Sequence, residues 1–362
     1  MRLFQNSGVY PSYLVQLNAL ARGASTFHER RGAFLADRYG ALHFLKPILD
    51  GASDAFFTNG DDEILQRLWA RENGMPKKSS LEGILLAQIE HHRAEVFYNT
   101  DPVRYPSSFV RKLPGCVRSK LCWRAVPSEN ADFTAYDAVL ANFPSILDFW
   151  RRKGSRVEYF CPALDPVMSE YGHGERPIDV LFVGGYSRHH ATRARILEQV
   201  AGLADDMQIV FCLDTSRLTR LAESVVGRFL GLNKYRRPAA VASIAKLPVF
   251  GRALYQLLGK AKIVLNGAID VSGRDRGNMR CFEATGCGAL LLSDAGIYPE
   301  GFTPNETMLV YDTGLECVKQ IENALSDWDV AKATAVGGRA RAEKLYSKDR
   351  QWISFNSIVE RL

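Results

Sequence analysis

No apolar run in this 362-residue chain is long enough to span a bilayer as a helix. The opening MRLFQNSGVY also lacks the charged-then-apolar layout of a secretory signal, so a cytoplasmic protein is expected. Cysteine is sparse and poorly spaced: seven residues, an odd number with no C-x-x-C pair, supply neither a disulfide framework nor a zinc knuckle. No internal repeat or low-complexity segment is present, which excludes solenoids and biased disordered tracts. Acids are scarce in one place. Between Arg217 and Lys262, ten Lys or Arg accompany a single acid, Glu223, a local net charge of +9 in a chain whose total is +6. Two readings of that stretch stand: basic helices that cover a sheet with solvated side chains, or a surface for an anionic membrane or acidic acceptor.

With 46% hydrophobic residues the chain can bury a large core and build two domains. Short apolar runs alternate with helical patterns throughout, which predicts α/β architecture with mostly parallel, doubly wound sheets. Strands are expected at Arg2 to Asn6, Asp54 to Thr58, Glu95 to Tyr98, Asp137 to Leu140 and Val157 to Phe160 in the first half. Pro162 to Gly174, punctuated by Pro and Gly, is the natural boundary. The turn after the first strand, Ser7-Gly8-Val9-Tyr10-Pro11, is either a plain strand-to-helix turn or a close approach to a ligand. Asp61, Asp62 and Glu63 sit where a helix N-terminus is expected, and acids favour that end. Asp101, just past the C-terminal end of the third strand, is an acid-base candidate where open α/β sheets gather ligands. His91 and His92 compete with it, although a His pair at a helix end also suits the helix dipole.

The stretch KIVLNGAIDVSGRDRGNMRCFEATGCGALLLSD, Lys262 to Asp294, reads as strand, polar glycine-bearing loop, helix from about Asn278, then Gly turn and strand. Asp275 and Glu283 border one loop that also carries Arg280, a combination able to hold a sugar and its diphosphate. Upstream, Val180 to Val183 runs into Gly184-Gly185-Tyr186-Ser187-Arg188-His189-His190. The two glycines let backbone approach a diphosphate, while Arg188, Arg193 and the N–H groups of the next helix aim at the same point. His189 and His190 diverge on a helix and find no third ligand, so neither metal nor cofactor is expected.

These residues resemble the nucleotide-binding core of GT-B glycosyltransferases of the "glycosyl transferases group 1" clan, in particular its CgeB-like branch. In that clan an acid, seven intervening residues and a Glu precede Ala-x-x-Cys-Gly. Here the run is Asp275, RGNMRCF, then Glu283 through Gly288, with Asp where the clan commonly has Glu and Arg276 where it often has Gly. AYDAVLANFP, EYFCPALDP and IDVLFVGGYSRHHATR follow one another in the clan's order, so the resemblance covers about residues 130 to 350. It implies a GT-B fold of two Rossmann-like doubly wound domains facing a cleft. The implied domains are 1–166 on the acceptor side, 167–346 for the nucleotide sugar, and a final helix at 347–362 crossing back. By the same resemblance Glu283 holds the ribose hydroxyls, Asp275 faces the donor sugar, and Gly184, Gly185, Arg193 and Gly288 belong to the nucleotide site.

The expected activity is sugar transfer from a nucleotide sugar, UDP-linked, to a glycan, lipid-linked or other acceptor. Arg188, Arg193 and Arg280 would stabilise the leaving diphosphate without a metal. The acid-x7-Glu pattern resembles retaining members, whereas an inverting reaction needs a base such as Asp101 or His92. Alternatives are a nucleotide-sugar epimerase or hydrolase of the same shape, or a non-catalytic sugar-binding or membrane-docking protein. Nucleic acid is not an expected partner, because no RNA-binding motif surrounds the aromatics of the basic stretch.

Overall fold

The computed structural model describes residues 1–186, 191–225, 227, 232, 235–267 and 273–362. Among the described residues the strands form two six-stranded sheets in which every neighbouring pair is parallel. The chain divides into two compact units: Met1–Ala163 with Tyr346–Leu362, and Leu164–Leu345. Each unit carries one sheet, the doubly wound α/β arrangement expected from the alternation of apolar runs and helices. No helix among the described residues is long and apolar enough to cross a membrane.

The first sheet contains β1 (Leu3–Asn6), β2 (Ala55–Thr58), β3 (Val96–Asn99), β4 (Ser119–Trp123), β5 (Ala138–Ala141) and β6 (Val157–Tyr159), in spatial order β2-β1-β3-β4-β5-β6. β1, β3 and β5 are buried along their whole length, as strands covered on both faces of a parallel sheet are. β4 escapes the sequence reading. Only Leu121 and Cys122 of it are fully buried, and Lys120 interrupts the apolar run, held to Asp137 through a backbone N–H bond of 2.7 Å and an ion pair. The helix Leu81–His92 is capped by Ser80, whose hydroxyl accepts from the Gly83 N–H at 3.0 Å. The last helix, Lys348–Glu360, packs Phe355 edge-on to Tyr98 and Phe160. Its buried Lys348 ammonium donates to the carbonyls of Ala41, Leu42 and Phe44 at 2.8, 3.0 and 2.8 Å, which makes burial of that charge tolerable.

In the second sheet, β7 (Ile178–Gly185), β8 (Ile209–Asp214), β9 (Ala245–Lys246), β10 (Ala261–Leu265), β11 (Leu290–Asp294) and β12 (Leu309–Tyr311) lie in order β12-β11-β10-β7-β8-β9. Ile263, Val264, Leu265, Leu290, Leu291 and Leu292 are all 1% exposed or less, and each such side chain contributes about 1.5–3 kcal/mol by leaving water.

The basic stretch differs from its expected form. Its first helix ends at Glu223, Ser224 is extended, and the backbone at Gly227 lies close to the Leu221 carbonyl. Leu218, Leu221 and Val225, which the sheet-covering reading of this stretch would bury, are exposed. Arg237 is bound to Glu223 by two 2.6 Å contacts, Arg236 donates to the Ala222 carbonyl, and Lys262 pairs with Asp179 at 2.7 Å. Part of the +9 is therefore internal structure. Arg228, Phe229 and Lys234 lie outside the described residues.

Candidate active site

In an open parallel sheet, a crevice forms where the chain reverses its direction of strand addition. In the second unit this point lies between β7 and β10: β8 and β9 extend one way, β11 and β12 the other. Gly184 and Gly185 end β7. Leu265 stands opposite Phe182, and carrying that register onward puts Gly267 beside Gly184. A Cβ at Gly267 would come 3.4 Å from the Tyr311 hydroxyl and 3.7 Å from Cδ of Arg193, in the first turn of the helix Ala191–Ala201. Three predicted residues, Gly184, Gly185 and Arg193, thus border the crevice. Arg188 lies outside the described residues, as do His189 and His190.

Asn266 organises the opposite wall. Its buried amide donates to Ser293 Oγ at 3.0 Å and accepts from the Asn278 side chain at 3.1 Å, while its carbonyl accepts the Tyr311 hydroxyl at 2.6 Å. Asn278 is the N-cap of the helix Met279–Gly286, so both ends of the intervening loop are fixed to the same strand end. Arg280 and Glu283 lie one turn apart on that helix, with Nη1 2.7 Å from Oε2. Burial pushes the Glu283 carboxyl up, and Arg280 opposes that shift. Asp275 is buried and bridged through its backbone to Ile297, beyond the C-terminal end of β11, while Arg276 pairs with Asp294 at 2.6 Å.

Gly288 is a correction. The helix Met279–Gly286 runs from the crevice back to the other edge of the sheet, and Gly288 lies there, before β11 begins. It adopts φ 72°, and a Cβ would meet Arg176 Nη2 at 2.9 Å. It serves the turn rather than a nucleotide. Cys281 and Cys287 are buried, and burial raises both thiols, Cys281 to about 12.

In the first unit the order reverses between β1 and β3, where Asn6 and Asn99 face each other at the strand ends. Asp101 follows there, its N–H donating to Asn99 Oδ1 at 3.0 Å. Burial pushes its carboxyl up against the pull of Arg104. His92 and His91 do not join it. They end the helix that precedes β3, at the opposite edge of the sheet. His92 is wedged beside Phe4 and Phe56, where burial lowers its pKa, and His91 meets Trp69 edge-on. The base role considered for His92 is therefore not supported by its position.

One residue near Asp101 escaped the sequence reading. Of the acids after β2, Asp62 caps the helix Glu63–Glu72 and pairs with buried Arg30 at 2.6 Å, but Asp61 turns to the Val9 N–H at 3.0 Å. Its neighbour Gly60 gives the only sequence signal, a break before the cap. Among the described residues no three His, Cys, Asp or Glu side chains gather as metal ligands.

Residues 211–355 match the family model described as "Glycosyl transferase-like". Among curated proteins no sequence relative is found. Similar solved structures include HepE of Anabaena in complex with UDP and glucose, at 12% identity and TM-score 0.60, with 100% of each chain covered. Sucrose-phosphate synthase of Thermosynechococcus elongatus aligns at 12% identity and TM-score 0.53, over 100% of this chain and 99% of that one. An alpha-glucosyltransferase in complex with UDP and a 13-mer DNA aligns at 8% identity and TM-score 0.60, over 99% and 100%. At such identities the likeness speaks for the fold, while the family match speaks for the second unit. The fold is thus that of the GT-B glycosyltransferase structures, and residues 211–355 are glycosyl transferase-like.

Proposed function

We propose that this enzyme transfers a sugar from a UDP-linked donor to a hydroxyl of a glycan or lipid-linked acceptor, without a metal ion and with retention at the anomeric carbon. The observation that carries the donor assignment is the convergence of Gly184, Gly185, Gly267, Arg193 and the Arg280–Glu283 pair at one switch point. Support for the uridine base comes from structures of the same fold that hold UDP or UDP-glucose.

In the reaction the sugar's C1 exchanges a phosphate oxygen for the acceptor oxygen, negative charge develops on the departing diphosphate, and the acceptor's hydroxyl proton passes to that diphosphate. Arg193, Arg280 and the N–H groups at the start of Met279–Gly286 offer fixed positive charge for it, a large contribution in a water-poor crevice. Glu283 takes the ribose hydroxyls and Asp275 the donor sugar. The acid-x7-Glu pattern favours retention, for which no protein nucleophile is required. Asp101 stands on the acceptor side.

Exposed Leu218, Leu221 and Val225, interleaved with Arg217 and Arg220, suit peripheral contact with an anionic membrane from its cytoplasmic face, where a lipid-linked acceptor would be met. A thermal-shift screen against UDP-, GDP-, dTDP- and CMP-sugars tests the donor. A ligand present at a hundred times its Kd adds roughly 2.7 kcal/mol of stability. UDP-sugars are expected to shift the transition most, and a shift with none of the four would overturn the reading.

A further inference from the structure

Asn6 and Asn99, opposed on adjacent strands, are both wholly buried, so their amides must find partners. Asn6 Nδ2 donates to Asn99 Oδ1 at 2.9 Å, and Asn6 Oδ1 accepts the Gly60 N–H at 2.8 Å. Asn99 Oδ1 also accepts the Asp101 N–H at 3.0 Å, while Asn99 Nδ2 donates to the Tyr136 hydroxyl at 2.6 Å. The Tyr136 hydroxyl in turn donates to the Tyr105 carbonyl at 2.6 Å. This closed network fixes the two turns that carry Asp61 and Asp101.

Both carboxyls meet at the turn after β1. A Cβ at Gly8 would lie 3.0 Å from Asp101 Oδ2, so the turn passes close against that carboxyl. The Asp61 side chain is 9% exposed. Its Oδ2 accepts the Val9 N–H, but its Oδ1 is buried with no hydrogen-bond partner among the described residues. Asp62, not Asp61, caps the following helix. Arg104 reaches both acids, 3.3 Å from Asp101 Oδ2 and 3.9 Å from Asp61 Oδ2. Arg124 lies near Asp101 and Tyr10, and the Tyr105 hydroxyl lies near Asp61.

We propose that Asp61 and Asp101 form a paired-carboxyl subsite that holds neighbouring hydroxyls of an uncharged, hydroxyl-rich acceptor. This rests on the glycosyltransferase reading and names the acceptor chemistry for its first unit. The carboxylate oxygens accept hydrogen bonds, while the Arg104 guanidinium and the Tyr105 hydroxyl beside them donate. Sugar hydroxyls, which both donate and accept, are the complement. Arg104 and Arg124 balance the two acids, leaving no net charge to draw a carboxylated or phosphorylated acceptor.

Saturation-transfer NMR on the full chain tests this with methyl α-D-glucopyranoside and D-glucuronate as probes. The neutral glucoside is expected to receive saturation and glucuronate not to. Loss of a hydrogen bond to a charged group in Asp61→Asn should weaken the glucoside roughly tenfold, because Asn still accepts from Val9 but carries no charge. Transfer unchanged in Asp61→Asn, no transfer from either probe, or preference for glucuronate would overturn the proposal. A second readout follows the Asp61 carboxyl by carbon NMR against pH. Its midpoint is expected to fall in Asp101→Asn, and an unmoved midpoint would show that the acids are not a pair. Calorimetry with UDP on the same samples reports on the second unit, so failure there bears on the donor reading and not on this subsite.

Discussion

Arg280 Nη1 stands 2.7 Å from Glu283 Oε2, one helical turn away, and both lie largely out of solvent. Burial pushes the Glu283 carboxyl up, and this partner opposes the shift. Arg280→Ala therefore weakens donor binding twice, through the lost cation and through a Glu283 carboxyl pushed further up. In a double-mutant cycle of Arg280→Ala with Glu283→Gln, the two costs in donor affinity are expected to fall short of additivity by about 0.5–3 kcal/mol. Strict additivity would mean that the pair does not act as a unit.

Arg193 faces the crevice from the other side, beside Gly267 and Tyr311. Removing a charge-stabilising group of this kind costs on the order of a hundredfold in kcat, so Arg193→Ala should lose about that much. Arg193→Lys should recover only part of it, since an ammonium does not reproduce the guanidinium fork. Steady-state turnover of the UDP-sugar is the measurement, and wild-type kcat in Arg193→Ala would remove this residue from the chemistry.

Two buried groups make opposing contributions to stability against pH. His43 is pushed down to about 3 from an ordinary 6.5 by burial and by Lys348, so the unfolded chain binds more protons between those values. Its contribution is present above about pH 6.5 and is lost as pH falls. Asp61 is pushed up to about 6 from an ordinary 3.8, chiefly by burial, with Asp101 adding to the shift. Its contribution is present below pH 3.8 and is lost as pH rises to about 6. Between pH 4 and 6 the two slopes oppose each other. Denaturant unfolding should show stability rising more steeply with pH in Asp61→Asn and less steeply in His43→Gln. Parallel curves for all three proteins would contradict these assignments.

Much of the fold is legible in the sequence because parallel strands buried on both faces are written as apolar runs, as in Ile263 to Leu265 and Leu290 to Leu292. β4 is not, since Lys120 breaks its run and its register is set by neighbours and by Asp137. The glycine ends of β7 and the Asp275-to-Glu283 block are local patterns and could be read directly. The Asn6–Asn99 contact spans 93 positions, and neither asparagine carries a local signal. Asp61 was hidden by its neighbour, because a run of acids before a helix reads as capping when only Asp62 caps. Gly288 misled in the opposite direction: its place next to Cys287 in a recognisable run says nothing about which sheet edge the helix delivers it to.

The exposed Arg217 to Val225 surface should bring the protein to anionic vesicles, with each engaged basic side chain worth about 1 kcal/mol. Co-sedimentation with anionic but not neutral vesicles is expected, weakening as salt rises. It should fall when Arg217 and Arg220 become Ser. Substituting Arg237 instead should chiefly destabilise the fold, because that residue is bound to Glu223. Equal pelleting with neutral vesicles would leave this stretch a solvated face.

The central claim is that the second unit binds a nucleotide-sugar donor through Glu283. Calorimetric titration of UDP into the wild-type protein and Glu283→Gln tests it most directly. One saturable site is predicted in the wild type, weakened roughly tenfold or more in the variant, as loss of a hydrogen bond to a charged group implies, with the unfolding transition of the free protein intact. No binding heat with UDP, or the same affinity in both proteins, would contradict the account.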